Sequence, residues 1–228
     1  MIQFNRKPAI LSSIQIGLPS TYGAAQAADP HDKAWTTSFF KTEIEGPVFA
    51  GKTNLAGDAQ ADLENHGGKD KAVLAYSADH YPLWREELCM PDLPAGAFGE
   101  NFTITGLGEQ SVCIGDVFRI GPATFEVSQP RQPCWKLARR WRMHGLPGLV
   151  VGNGRSGWYL RVQEEGWIEA QMSVQLIERP NPAWTISRAN EILHHHQHDL
   201  PLLLMLADVP RLADSWVNEL RERAGRRA

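Results

Sequence analysis

Apolar and polar residues alternate over short stretches through the first 180 positions of the chain. Ile10, Ile14 and Ile16, with Ser13 and Gln15 between them, follow the two-residue period of a half-buried strand. Residues 102–105 alternate and stop at Gly106, and residues 72–76 read as another strand. Residues 112–120 and 123–127 flank Gly121-Pro122, a turn signal, so they predict a hairpin. Residues 158–162 and 167–177 follow the same grammar around Gly166. Many short strands with few long helical patterns predict a mainly β fold, a closed or nearly closed barrel. Two helices are expected to interrupt it, one over residues 78–89 and one of a turn or more after Pro133.

Beyond Pro180 and Pro182 the pattern changes to a helical period. Residues 187–195, 200–207 and 211–223 predict three helices, the last with Leu212, Trp216, Val217 and Leu220 on one face. Pro210 suits its first turn and Gly225 its far end. The chain therefore divides into a barrel domain, residues 1–180, and a three-helix module, residues 181–228. Helices this short bury little alone, so the module is expected to lean on the barrel.

With 228 residues the chain can build one substantial core, or a core plus a small appendage. A net charge of −3 gives no global pull towards nucleic acid or an anionic membrane, and neither is expected as a partner. No apolar run approaches the roughly 20 residues needed to span a bilayer. Arg6 and Lys7 precede an apolar stretch at 9–18, and Ala25-Gln26-Ala27 imitates a signal-peptidase site. Ser12, Ser13 and Gln15 interrupt that stretch, which favours an opening strand over a cleaved leader. Cys89, Cys113 and Cys134 form no C-x-x-C pair, and an odd count completes no disulfide framework. That points to a reducing compartment, the cytoplasm.

The chemistry concentrates in residues 128–142, which carry Arg131, Lys136, Arg139, Arg140 and Arg142 and no acid. Cys134 follows Pro133 at the expected opening of a helix. Nearby cations and a helix start both favour thiolate, and a thiolate is a soft metal ligand. The bland alternatives are a buried structural cysteine and a solvated basic helix face. His66-Gly67-Gly68, followed by Lys69 and Lys71, could hold an anionic group on a loop where glycines let the backbone approach, or could be an ordinary turn. Asn101, after Gly99-Glu100, could read the edge of a heterocycle or serve as a turn residue. His194 and His198, spaced by four, could bridge zinc, but only Asp199 offers a third ligand nearby. Trp135 and Trp141 could stack single-stranded bases, a reading the negative net charge opposes. Gly152-Asn153-Gly154 reads as a turn before a strand, and no G-x-S-x-G elbow or G-x-x-x-x-G-K-[ST] loop is present.

One ordered set of residues runs through nearly the whole chain: Gly57-Asp58, His66-Gly67-Gly68 with Lys71, Phe98-Gly99-Glu100-Asn101-Phe102, Gly115-Asp116, Ser128-Gln129-Pro130-Arg131 with Pro133-Cys134, and Gly157-Trp158. This set resembles the MOSC family, named for the C-terminal domain of molybdenum-cofactor sulfurase, in its stand-alone YiiM-type form. Trp184 onward resembles the three-helix module of that subgroup; the first 10 residues match nothing. The resemblance implies a MOSC-type β-barrel with interrupting helices and a molybdenum cofactor (molybdopterin) in a cleft beside the cysteine loop. It assigns the sulfur of Cys134 to the metal and Arg131 to the cofactor's anionic end, where a guanidinium fork suits phosphate. His66, Lys71 and Asn101 become further cofactor contacts. The activity implied is reduction of N-hydroxylated compounds such as N-hydroxylated purine bases. Electrons would come from an external, flavin-containing reductase, since the chain has no flavin or iron–sulfur signature of its own. The alternative is a non-catalytic carrier of cofactor or sulfur, with Cys134 as persulfide. MOSC domains also occur fused to pyridoxal-phosphate enzymes, but nothing marks Lys69 or Lys71 as a Schiff-base lysine.

Overall fold

A computed structural model describes residues 8–225; Arg6 and Lys7, ahead of the apolar stretch, lie outside the described residues. The chain opens with β1 (Ile10–Ile16), β2 (Ser20–Tyr22), β3 (Trp35–Thr37), β4 (Thr42–Glu43) and β5 (Val48–Ala50). A short helix α1 (Leu63–His66) precedes β6 (Val73–Ser77), α2 (Tyr81–Glu87) and β7 (Phe102–Thr105). The hairpin of β8 (Val117–Ile120) and β9 (Ala123–Pro130) leads into α3 (Trp135–Trp141) and α4 (Leu146–Asn153). Strands β10 (Trp158–Glu164), β11 (Gly166–Ile168) and β12 (Val174–Glu178) follow, then α5 (Ile186–His195), α6 (Leu200–Ala207) and α7 (Asp214–Gly225). Among the described residues no helix is long and apolar enough to cross a membrane.

Eight strands form one sheet in the order β12-β8-β9-β10-β6-β7-β1-β4. Only β6 and β7 pair in parallel, and α2 lies in the crossover that a parallel pair requires. The sheet curls until the start of β1 meets the residues ahead of β12. Leu11 N donates to Met172 O at 3.0 Å, Gln171 N to Leu11 O at 2.7 Å and Val174 N to Ala9 O at 2.9 Å. The barrel interior holds Leu11, Ile14, Ile104, Val127 and Trp158, with Phe102 and Phe125 edge to face at 5.3 Å. A second cluster of Tyr76, Trp84, Phe98, Leu137 and Leu146 packs outside the sheet beneath α2, α3 and α4.

Every residue of β9 is buried, because one face looks into the barrel and the other is covered. Much of that cover is the helical module. Ile186, Leu193, Leu203, Leu206, Trp216 and Leu220 join the same apolar cluster as the barrel residues, so the module does lean on the barrel. Each fully buried side chain of this size contributes about 1.5–3 kcal/mol.

Several sequence expectations need correction. The hairpin turns at Gly121-Pro122, with Ile120 opposite Ala123, but β8 starts at Val117. Residues 112–114 instead bond to the helical module, through Ile114 N to Trp184 O at 2.9 Å and Ile186 N to Val112 O at 2.9 Å. Residues 167–177 are not one strand. Strand β11 leaves the main sheet to pair with β5, and Gln171 turns the chain with φ 69° before β12 joins β8. Gly152-Asn153-Gly154 does precede a strand, β10, but it closes α4 rather than forming a separate turn, with Gly154 in the left-handed region at φ 71°. Helix α7 begins at Asp214, so Pro210 lies before its first turn, separated from it by Arg211 at φ 69°.

Candidate functional site

Strand β9 delivers its last residues to a loop that crosses the sheet edge and ends at Cys134, the residue just before α3. Arg131 N donates to Gly157 O at 3.1 Å, which pins the loop to the start of β10. Cys134 is extended (φ −114°, ψ 170°) and half-buried. The basic run divides by task. Arg139 lies 4.7 Å from the Trp35 ring and 5.8 Å from the Trp135 ring. Arg140 donates to Phe39 O at 3.0 Å and Gly96 O at 2.7 Å, and Arg142 pairs with Asp29 and Asp32. Those three arginines hold the 29–40 segment across α3, so the run is not a solvated face. Arg131 and Lys136 are the two that face the cleft.

Two recesses meet at Cys134, and both are lined by His66, Lys71, Gln132 and Tyr159 as well. The inner one is walled by Lys41, Lys71, Arg131 and Lys136 and by no carboxylate. The outer one lies between α1, the cysteine loop and α7, and carries Asp62, Trp135, Ser215 and Glu219.

The inner recess is built for negative charge. Arg131 is 3% exposed; its Nη2 donates to Phe98 O at 3.1 Å, while its Nη1 is buried with no hydrogen-bond partner. Lys136 Nζ is 3.5 Å from His66 Nδ1 and 3.9 Å from Asp62 Oδ2. Lys71 donates to Asn65 O at 2.8 Å, and burial lowers its pKa below the ordinary lysine value. Lys41 pairs with Asp58, and burial lowers its pKa too. Burial alone would raise the Cys134 thiol. The His66 hydrogen bond, the Arg131 charge and the Lys136 backbone N–H outweigh it and bring the thiol down to about 7. Burial pushes the Tyr159 hydroxyl up to about 12, so it stays a neutral donor near pH 7.

The structure thus brings Cys134, Arg131, His66 and Lys71 together around one cleft. Gly67 and Gly68 allow the His66 loop: a Cβ on Gly67 would sit 2.7 Å from Leu63 O, and Gly68 has φ 92°. Asn101 also borders the cleft, but its amide pins the fold. Its Oδ1 accepts from Leu74 N at 3.1 Å, and its Nδ2 donates to Gln15 O at 3.1 Å and Asp58 Oδ2 at 2.9 Å. Both amide hydrogens are engaged, which leaves only a lone pair of Oδ1 to meet a ligand.

Sequence reasoning missed Lys41, Gln132, Tyr159, Ser215 and Glu219. Tyr159 had a signal, since it follows the inward Trp158 on β10 and must face outward by alternation. Lys41 and Glu219 reach the site only through tertiary packing. His195, His196 and His198 border a shallow surface recess with Asp199, and among the described residues no three metal-ligating side chains gather. Trp141 Nε1 donates to Ala97 O at 2.9 Å within the protein, so of the two tryptophans proposed for base stacking only Trp135 is exposed.

A sequence model of the MOSC domain matches residues 62–175, and a model of the YiiM-like, 3-alpha helix domain matches residues 184–223. The chain belongs to the MOSC family. Among MOSC relatives, the uncharacterized protein YflK of Bacillus subtilis (strain 168) is 41% identical over 194 residues, covering 85% of this chain and 87% of YflK. A protein named reductase from Gibberella moniliformis (strain M3125 / FGSC 7600) is 36% identical over 191 residues. That match covers 82% of this chain but only 34% of the longer fungal protein. The crystal structure of YiiM from Geobacillus stearothermophilus superposes with a TM-score of 0.79 at 35% identity, covering 95% of this chain and all of that one. The MOSC model begins at Asp62, just before His66-Gly67-Gly68, and spans the cysteine loop, so the matched stretch contains Cys134, Arg131, His66 and Lys71.

Proposed function

We propose that this MOSC protein binds a molybdenum–pterin cofactor in the inner recess, with Cys134 Sγ as its ligand to the metal, and reduces N-hydroxylated compounds, N-hydroxylated purine bases among them. The observation that carries the reading is Arg131, which has a buried Nη1 without a hydrogen-bond partner and stands in the wall of a recess lined by four cations and no carboxylate beside Cys134. A buried donor without an acceptor costs about 1–3 kcal/mol, more when charged, and an anionic group in the recess relieves that cost. The residues present therefore fit a ligand with a phosphate end and a soft metal centre.

When bound, the cofactor supplies two-electron chemistry at the N–O bond. Cys134 meets it as thiolate, a form the His66 hydrogen bond and the Arg131 charge make available near neutral pH. Arg131, Lys71 and Lys136 offset the negative charge of the pterin's phosphate. The Tyr159 hydroxyl, protonated throughout the working range, offers a hydrogen bond where the two recesses meet. Overall, N–OH, two electrons and two protons become N–H and water. The electrons come from a separate, flavin-containing reductase. The name of the fungal relative is consistent with a reductive role.

Protein made in a host that synthesises the cofactor should carry about one molybdenum per chain, and Cys134→Ala should remove it. Full metal retention by that variant overturns Cys134 as the anchor. Loaded protein that consumes no N-hydroxylated base with a reductant present supports the carrier reading instead.

A further inference from the structure

The two recesses that meet at Cys134 differ in their charged lining. Lys41, Lys71, Arg131 and Lys136 wall the inner one, without an acid. The outer one has two carboxylates, Asp62 and Glu219, and shares a single lysine with the inner, Lys71, which already donates to Asn65 O at 2.8 Å.

Of the two acids, Asp62 caps α1 and Glu219 is supplied by the helical module, where it is firmly attached. Glu219 Oε2 accepts from Gln132 Nε2 at 2.7 Å, and its Oε1 accepts from Arg223 Nη2 at 2.6 Å. Gln132 stands two residues before Cys134, so the carboxylate is held in register with the sulfur. Ser215 Oγ donates to Gln129 Oε1 at 3.0 Å, a second stitch between α7 and the end of β9. Ser215 and Glu219 are four residues apart and share one face of α7, while Trp216 and Leu220 turn into the apolar core. At the mouth Trp135 is 56% exposed and offers a flat aromatic face.

We propose that the outer recess is the substrate chamber, and that Glu219 on α7 selects uncharged, nitrogen-rich aromatic bases over their phosphorylated forms. As a substrate chamber it rests on the reaction proposed at Cys134; as a binding site it stands alone. Carboxylate and amide oxygens accept from ring and exocyclic N–H groups, and Trp135 stacks on the ring. A phosphate brings two negative charges against Asp62 and Glu219, where each like-charge approach is unfavourable. The helical module is thus the part of the chain that reads the substrate, and the barrel is the part that holds the cofactor.

The test is a titration of purified protein in phosphate buffer, so that inorganic phosphate satisfies the inner cations whether or not metal is retained. Adenine, adenosine and adenosine 5′-monophosphate present one ring with and without sugar and phosphate. Binding is followed by tryptophan fluorescence and calorimetry. Adenine is expected to bind at least about tenfold more tightly than the monophosphate, and Glu219→Lys to shrink that ratio by about tenfold. Equal binding of the two by the wild-type protein overturns the proposal, and so does an unchanged ratio in Glu219→Lys. Ser215→Trp, which fills the mouth and leaves Glu219 in place, should weaken adenine by about tenfold or more; undiminished binding overturns the location. Wild-type protein that comes from a cofactor-synthesising host without molybdenum, yet shows the Glu219-dependent ratio, overturns the cofactor reading and supports the chamber. Protein that carries molybdenum and shows no ratio overturns the chamber alone.

Discussion

Arg131 hangs from Gly157: the backbone nitrogen of the first donates to the carbonyl of the second at 3.1 Å, and Gly157 is itself held from two directions. Ser156 Oγ donates to it at 2.9 Å, and Asn190 on α5 donates to Ser156 Oγ at 2.8 Å. On the other side Gly157 N donates to Glu109 Oε1 at 2.8 Å, while Glu109 Oε2 lies 2.6 Å from His80 Nε2. Gly157 has φ 76°, and a Cβ there would stand 2.5 Å from Ala75 O, so only glycine lets the strand approach this closely.

Glu109 is 5% exposed, and Glu109→Ala should release Gly157 and leave its N–H without an acceptor. A loss of about 1–3 kcal/mol in unfolding free energy is expected from denaturant titration. If Gly157 positions Arg131, the same variant should raise the pH at which Cys134 becomes alkylated. A purely structural role would lower stability and leave that pH where it was.

The Cys134 thiol should titrate at about 7, seen as the midpoint of iodoacetamide alkylation against pH. His66→Ala removes a hydrogen bond that favours thiolate, so its midpoint should move upward and its rate at pH 7 should fall. A wild-type midpoint near the free-thiol value of about 8.5 contradicts the electrostatic account of the site.

Arg131→Met preserves side-chain bulk and removes a charge from the wall of the inner recess. Binding of inorganic phosphate, measured by calorimetry, should weaken by about tenfold or more, equivalent to about 1.4 kcal/mol. The alkylation midpoint of Cys134 should rise in the same variant, since the Arg131 charge lowers it. Unchanged phosphate affinity would remove Arg131 from the anion site.

Asn101→Ala deletes three hydrogen bonds at once, to Leu74 N, Gln15 O and Asp58 Oδ2. Thermal and denaturant unfolding should show a loss of about 2–4 kcal/mol, with the Cys134 alkylation midpoint unmoved. A stable variant whose cofactor or phosphate affinity drops would instead make Asn101 a direct ligand contact.

The fold was legible where side-chain period and turn chemistry agreed. Strand β1 was legible although a register shift between Leu11 and Ser13 breaks its alternation and Ser13 and Gln15 are buried, and Gly121-Pro122 sets the β8–β9 turn. Helix α4 was hidden because Gly145, Pro147, Gly148 and Gly152 read as a loop, and packing of Leu146 and Val150 overrides that local preference. Strand β9 runs three residues further than its apolar run suggests, because Ser128, Gln129 and Pro130 are buried under the helical module. The cysteine, the arginine and the His66 loop were visible because they lie in compact motifs. The outer recess was not, since Asp62, Gln132 and Glu219 are scattered along the chain and meet only when α7 docks. Asn101 shows the limit of residue type alone. An asparagine able to read a heterocycle is equally able to tie β1, β6 and Asp58 together, and only the geometry separates the two.

Helix α3 begins beside the sulfur, and its later arginines grip the 29–40 segment, which lends Thr37, Ser38 and Phe39 to the wall of the inner recess. The sulfur and that wall are therefore mounted on one short rigid rod. A substitution that loosens Arg139 or Arg140 is therefore expected to disturb the wall and the sulfur together.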